Sequence, residues 1–433
     1  MAQGAQTCLI TPMKPPRPSP RSAATRATLT IRDLGAQGDG VADVDGRPVF
    51  VGLTLPGETI TADIEGDRGR LIDVVTPGPD RVGPRCAHYG VCGGCSLQHM
   101  AGSAYLAFKR RLVVDALAAK GIDAPADVAI AVPPASRRRA VFAAARYGKS
   151  VTLGFHGRRS HALVPIRDCP VLTPGIQAAL PALQKLAAST APPKGALTIT
   201  VVDSRNGLDV ALNGVGKWFS ADARMNLVMD AQAAGLARIA VDGEVILERA
   251  APGVRAGAAL VVAPPGGFLQ ATAPSEAAML TLVEQAVGDA RRIADLFAGC
   301  GTFALPLASR ASVHAVEGDA DAIAALDAAA RRTPSLKAVS VEKRDLFRRP
   351  LTRDELKRFD AVVMDPPRAG AEAQAANLAA SDVARIAMVS CNPVTLARDL
   401  RLLIDGGYRL DRVTPVDQFL WSHHIEVVAA LSR

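Results

Sequence analysis

A multidomain α/β protein is the fold class predicted: an N-terminal OB-like β-barrel, a β-rich central domain around a cysteine cluster, and a C-terminal doubly wound, Rossmann-like sheet. Three observations carry this. Short alternating segments punctuated by Gly and Pro run from Thr28 to Pro79. Four cysteines, three of them close together, follow at Cys86, Cys92, Cys95 and Cys169. Beyond residue 290 strand-like and helix-like segments alternate. At 433 residues with 49% hydrophobic side chains, the chain can bury several cores. The expected division is a disordered basic arm over 1–27, the barrel over 28–85, the central domain over 86–255 and the doubly wound domain over 256–433.

The arm holds Lys14, Arg17, Arg21 and Arg26, several prolines and no acid, and it lacks the apolar centre of a secretory signal. Cys8 lies in it with no partner motif. From Thr28 the pattern changes: Leu29 and Ile31 alternate with polar neighbours, Gly35, Gly38 and Gly40 punctuate, and further alternation runs through Ile60–Ile64 and Leu71–Val75. Short strands at this spacing predict a small barrel. The segment resembles a TRAM domain, an RNA-binding barrel.

Three thiols in Cys86-Ala-His-Tyr-Gly-Val-Cys92-Gly-Gly-Cys95, with Cys169 far downstream, make a four-sulfur set suited to a [4Fe-4S] cluster or to tetrahedral zinc. Gly93 and Gly94 let the backbone wrap closely. His88 and His99 lie near, but four cysteines leave no vacancy for them. The spacing differs from that of a radical-type cluster, which argues against a radical mechanism. So few cysteines, so unevenly placed, exclude an extracellular disulfide framework and point to a reducing compartment.

Runs of base follow at Lys109-Arg110-Arg111, Arg137-Arg138-Arg139 and His156 to His161. With a net charge of +8 they predict a basic face that contacts phosphate. Aromatic residues are only 4% of the chain, so extensive base stacking is not expected; Tyr89, Tyr105, Tyr147, Phe142, Phe155 and Trp218 are the candidates in this region. No stretch approaches the ~20 apolar residues of a membrane span, so a soluble protein is expected.

In the C-terminal part, Arg292–Phe297 runs into Ala298-Gly-Cys-Gly301, Val313–Val316 ends at Glu317, Ala361–Met364 ends at Asp365, and Ile386–Val389 ends at Ser390-Cys391. Candidate functional residues thus fall just past strand ends, where open α/β sheets bind ligands. The glycine turn, the acid at Glu317 and Asp365-Pro-Pro suit S-adenosylmethionine (SAM) better than a dinucleotide, whose Gly-x-Gly-x-x-Gly pattern is absent. Cys300, beside the turn, is expected to pack there rather than react.

Several motifs carry a family likeness: the four cysteines, Phe268-Leu-Gln270, Asp295-Leu-Phe-Ala-Gly-Cys-Gly301, Asp365-Pro-Pro-Arg-Ala-Gly370, Ser390-Cys-Asn-Pro393 and His424-Ile-Glu426. From Thr28 onward the chain resembles the RNA uracil-5-methyltransferases, in the branch with a TRAM barrel and an iron-sulfur cluster that acts on 23S rRNA. The resemblance implies Cys391 as nucleophile, Glu426 as base, Gln270, Phe297, Glu317 and Asp365 as SAM contacts, and Asp345 near the adenine. It also implies Cys86, Cys92, Cys95 and Cys169 as ligands of a [4Fe-4S] cluster, 23S rRNA as partner, a cytoplasmic setting and a monomer. Three departures stand out: Thr272 and Thr302 replace asparagines, and Phe419-Leu-Trp-Ser422 replaces a Phe-Pro-His-Thr-like approach to the terminal acid.

The chemistry needs these residue types. Carbon 5 of uracil is a weak nucleophile, so a thiolate adds first at carbon 6, and a base later removes the carbon-5 proton. His423 and His424 compete with Glu426 for the second role. A tRNA uracil methyltransferase, an exocyclic-amine methyltransferase and a non-catalytic RNA-binding factor are the alternatives.

Overall fold

The structure, a computed structural model, describes residues 24–216 and 219–433. Most of the expected arm, with Cys8, and Trp218 lie outside these residues. Residues 25–27, expected as the end of the arm, are already strand: Arg26 pairs with Asp63 across the sheet and its Nε donates to that carboxylate at 2.8 Å. Two compact units result, one running to Gly35 and over Asp39–Gly78, the other comprising Ala36–Gly38 and Pro79–Arg433.

The smaller unit is a six-stranded sheet built from β1 (Thr25–Thr30), β2 (Asp33–Leu34), β3 (Gly40–Val44), β4 (Arg47–Val51), β5 (Thr59–Glu65) and β6 (Arg68–Thr76), in the order β1-β5-β6-β4-β3-β2. Its alternating pattern turns Leu29, Ile31, Val49, Val51, Ile60 and Ala62 to one shared core. Every neighbouring pair is antiparallel except β4 and β6.

The larger unit opens with α1 (Gly102–Ala118), then β7 (Arg139–Tyr147), β8 (Ser150–His156), β9 (Leu163–Pro165), α2 (Pro174–Thr190), β10 (Ala196–Ser204), β11 (Gly207–Asn213), α3 (Ala221–Ala233), β12 (Arg238–Val241) and β13 (Glu244–Glu248). Their strands form one sheet in the order β13-β12-β11-β10-β7-β8-β9. A hairpin, β14 (Gly253–Ala256) and β15 (Ala259–Val262), leads to α4 (Ala273–Val287). Thr272, where the resemblance expected asparagine, caps α4: its Oγ1 accepts from Ser275 N at 3.2 Å.

The remaining elements are β16 (Arg292–Leu296), α5 (Ala304–Leu307), β17 (Ser312–Glu317), α6 (Ala320–Arg331), β18 (Val339–Lys343), α7 (Arg353–Leu356), β19 (Ala361–Met364), α8 (Glu372–Ala379), β20 (Arg385–Ser390), α9 (Pro393–Asp405), β21 (Arg409–Val416) and β22 (Glu426–Ser432). The sheet order β18-β17-β16-β19-β20-β22-β21 reverses direction between β16 and β19, which makes the switch point where such sheets bind ligands. Strands β16, β19 and β20 are apolar runs because helices cover both faces. Among the described residues of this sheet, only β22 runs antiparallel to both its neighbours.

The basic runs do not all face outward as expected. Lys109 is fully buried, and its Nζ lies 2.7 Å from Asp417 Oδ1. Arg138 is buried and reaches Glu276 Oε2 at 2.6 Å, while Arg139 donates to the carbonyl of Gly267 at 3.1 Å. Arg137 lies over the Phe419 ring, 5.5 Å from its centre. Among the expected aromatics, Phe142 and Tyr105 are core and Tyr147 is exposed.

Burial raises the Glu276 carboxyl above its ordinary value, and the Arg138 guanidinium opposes that rise. Arg138→Met should therefore leave a buried acid without its counter-charge and cost about 3–5 kcal/mol in urea unfolding. Adding Glu276→Leu should recover most of the loss.

Candidate active site

Strand pairing brings the two reactive candidates together. Ser390 pairs with Val427, so one step further in the same register Cys391, just past β20, faces Glu426 at the start of β22. Glu426 thus breaks the expected strand-end rule. Because β22 runs backward, its first residue arrives where its parallel neighbours finish. Asp365 completes the group from the end of β19, one step beyond the Met364–Met388 pair.

Burial dominates the electrostatics. It pushes Glu426 up to about 8, with Asp365 repelling its charge and Lys109 opposing the shift. Asp365 rises to about 7 from burial, against the hydrogen bond from Gln270. Cys391, half-buried, rises to about 11, first from burial and then from Glu426 and Asp365, while Arg368 pulls it down. His424, a rival base, is pushed down to about 4 by burial and by His423 and Arg368, so it is neutral at pH 7 and a weak proton acceptor.

A chain of amides joins the carboxyls. Gln270 Nε2 donates to Asp365 Oδ2 at 3.2 Å, and Gln418 Nε2 donates to Gln270 Oε1 at 2.8 Å and to Glu426 Oε1 at 3.1 Å. Gln418 Oε1 accepts from Ala271 N at 3.1 Å and from Ser275 Oγ at 2.8 Å.

The segment from Asp417 to Ile425, leading into Glu426, is fastened on two sides. From α1, Lys109 Nζ reaches Asp417 and donates to the carbonyl of His424, and the Tyr105 hydroxyl donates to Asp417 Oδ1 at 2.9 Å. Trp421, at φ +59°, donates its N–H to Tyr105 Oη at 2.7 Å. Its carbonyl accepts from Ser96 N at 2.8 Å and Leu97 N at 2.9 Å, beside Cys95.

Across the switch point, the Gly299 N–H and the Asp319 N–H each donate to a different oxygen of Glu317, both at 2.8 Å, leaving lone pairs for a further partner. Phe297 sits at φ +60°, a strained conformation for a non-glycine residue, with its ring 5.4 Å from the exposed Phe347. Asp345 Oδ1 accepts from Phe347 N at 3.0 Å. Gly301 is required: at φ +95° a Cβ would lie 2.8 Å from Leu305. Cys300 is buried and pushed up to about 11 by burial, in keeping with packing rather than reaction. This arrangement can hold a cationic nucleoside between Glu317 and Asp365 and move a proton at Glu426.

The four cysteines are each partly buried. Burial pushes Cys95 up to about 12, with Cys169, Cys92 and Cys86 adding to the rise, and Cys169 up to about 11, with Cys86 and Cys92 adding. Cys92 rises for the same reasons, burial first, with Cys86 adding. Gly93 N donates to His156 O at 2.9 Å, and a Cβ at Gly93 would lie as close to that oxygen, so the loop needs glycine to pack on β8. The donor set suits an iron-sulfur cluster in kind, although among the described residues no three His, Cys, Asp or Glu form a group able to hold a metal ion.

Sequence reasoning singled out Cys391, Asp365, Gln270 and Glu426 but missed Gln418, Asp417, Tyr105 and the inward turn of Lys109. One signal was available: Asp417-Gln418 follow the apolar end of β21, the same strand-end position that marked the other acids.

Carboxyls held above their ordinary range keep protons longer in the folded than in the unfolded chain. Stability is therefore full below the ordinary value of 4.5 for Glu426 and falls as pH rises through about 8. Urea titrations of the ligand-free protein should show this fall, and Glu426→Gln should flatten it by up to ~1.4 kcal/mol per pH unit.

The family model described as tRNA (Uracil-5-)-methyltransferase matches residues 224–433. An uncharacterized RNA methyltransferase of Rhizobium meliloti is 50% identical, over 94% of this chain and 99% of the relative. The 23S rRNA (uracil(1939)-C(5))-methyltransferase of Halomonas elongata is 34% identical, over 95% of this chain and 91% of the relative. The fold is shared with the Pyrococcus abyssi tRNA (uracil-54, C5)-methyltransferase crystallised with S-adenosyl-L-homocysteine, at a TM-score of 0.72 and 22% identity, covering 93% of this chain and 99% of that one. With near full-length relatives behind it and the switch-point site described above, this chain belongs to the RNA uracil-5-methyltransferases, enzymes that take their methyl group from SAM.

Proposed function

We propose that the protein methylates carbon 5 of a uridine in 23S rRNA through a covalent adduct to Cys391, with Glu426 as the base. The observation that supports this above all is the register of β20 and β22, which sets a thiol opposite a carboxyl beside Asp365. Gln270, Phe297, Glu317 and Asp365 hold SAM, with Asp345 near its adenine. A cationic sulfonium beside Asp365 offsets the negative charge that raises Cys391 and eases formation of the thiolate.

The thiolate Sγ then bonds to carbon 6, and the pair released into the ring makes carbon 5 nucleophilic. Carbon 5 takes the methyl group as the sulfonium–carbon bond breaks, leaving S-adenosylhomocysteine. Glu426 accepts the carbon-5 proton, the double bond re-forms, and Sγ leaves carbon 6. A base whose pKa sits near the working pH suits that task. The uridine must leave its stack to reach Cys391, and the six-stranded unit, read as a TRAM-like barrel over 28–85, helps hold the displaced RNA.

The rRNA assignment follows the near full-length relative named for that substrate. A tRNA substrate is the second reading, favoured by the description of the matching family model. The non-catalytic alternative falls with the family membership. We read the enzyme as a cytoplasmic monomer; among the described residues no helix is long and apolar enough to cross a membrane. Within the larger unit we read 86–255 as the central RNA-binding segment and 256–433 as the SAM-binding one.

Incubation with SAM and 5-fluorouridine-substituted RNA tests the mechanism, because fluorine at carbon 5 cannot leave as a proton. Wild type should give an adduct that survives denaturation, Cys391→Ala should give none, and adduct on 23S rRNA but not tRNA should separate the substrates. An unmodified wild type would sink the covalent mechanism.

Cys86, Cys92, Cys95 and Cys169 would hold a [4Fe-4S] cluster, which when bound supplies a rigid link between the 86–95 loop and the start of α2. Their mutual electrostatic influence and partial burial support this reading. Anaerobically purified protein should carry about four iron and four sulfide per chain, with Cys169→Ser losing most of both. Zinc without sulfide would refute it.

A further inference from the structure

We propose that Gln418 is the positioning residue that holds Glu426 in its proton-accepting form and ties it, through Gln270, to the cofactor side of the site. This rests on the assignment of Cys391 and Glu426 above.

The argument begins with which way the amide points. Gln418 Oε1 accepts from the Ala271 N–H, whose hydrogen has one direction only, and lies 2.8 Å from the Ser275 hydroxyl, which also reaches the Thr272 carbonyl. Its orientation is thereby fixed, and only N–H faces the carboxyls. That N–H group donates to Gln270 Oε1 and Glu426 Oε1, and since Gln270 Oε1 is then an acceptor, Gln270 Nε2 must point at Asp365.

Hydrogen-bond polarity therefore runs outward from Gln418 to both acids. Each carboxyl receives an N–H, which favours its ionised form against burial. Gln418 is 2% exposed, so no bulk water can substitute for it. A protonated Glu426 would want an acceptor in its place, and a pinned amide cannot supply one.

The charged and titratable groups facing Glu426 are Asp365 from the end of β19, Cys391 from the end of β20 and Lys109 from α1. Asp365 and the thiolate disfavour a second negative charge, and Lys109 favours it. Gln418 is the neutral group that bonds the Glu426 carboxylate directly.

The test isolates proton removal from thiol ionisation. Methylated adduct on ordinary uridine RNA is formed in a single turnover, and its breakdown is followed against pH, when Sγ is already bonded and no longer titrates, so that the limb reports Glu426 with Asp365 beside it. In Gln418→Leu the adduct should accumulate, breakdown should slow about 10–100-fold, within the range a general base supplies, and the rising limb should move up by about one pH unit. Gln418→Glu, nearly isosteric, should move the limb further, since it sets an acid against an acid. SAM binding by both variants reports an intact site.

Slow breakdown with an unshifted limb would make Gln418 a packing residue and overturn the proposal, as would wild-type breakdown in both variants. Failure of the underlying mechanism looks different: wild type would then form no adduct even with 5-fluorouridine RNA, and the role assigned to Gln418 would fall with it.

Discussion

Everything at the site depends on one strand running against its neighbours. The pairing of β22 with β20, continuous from Arg385–Ser432 to Ser390–Val427, sets Glu426 against Cys391. Side chains alternate with period two, so a slip of one residue would turn Glu426 to the other face and expose buried Val427 and Ala429 differently on each side. Hydrophobic burial on both faces of the sheet therefore enforces the register that the chemistry needs.

Holding two acids in that place is costly, and the surroundings offset the cost in stages. Burial keeps Asp365 and Glu426 protonated to higher pH than usual, while Gln270 and Gln418 donate to them. Lys109 adds a positive charge without leaving its own ion pair with Asp417, and Tyr105 donates to the same carboxylate oxygen. A buried ion pair contributes little net stability, but it fixes geometry because either partner alone would be stranded. Here it fastens the segment that delivers Glu426.

The same segment meets the cysteine loop. Trp421 O accepts two N–H groups beside Cys95, so the cysteine loop and the segment leading into β22 share a backbone contact within the larger unit. Arg138 and Arg139 work inward too: they hold the 266–276 stretch that carries Gln270 and the cap of α4. Charge in this part of the molecule goes to assembling the site.

The local patterns were legible without a structure. Alternation in 28–79 and the apolar strands ending at Glu317, Asp365 and Cys391 each depend on neighbours a few residues away, so the chain by itself determined a multidomain α/β class with a doubly wound C-terminal sheet. The antiparallel turn of β22, the outward polarity of Gln418 and the burial of Lys109 and Arg138 were decided only in the tertiary structure. Lys109 reads as one base in a run of three, and Tyr105 finds Asp417 312 positions away. A charged side chain turns inward only where a partner waits, and that partner is placed by the packing of distant strands, which no local spacing records.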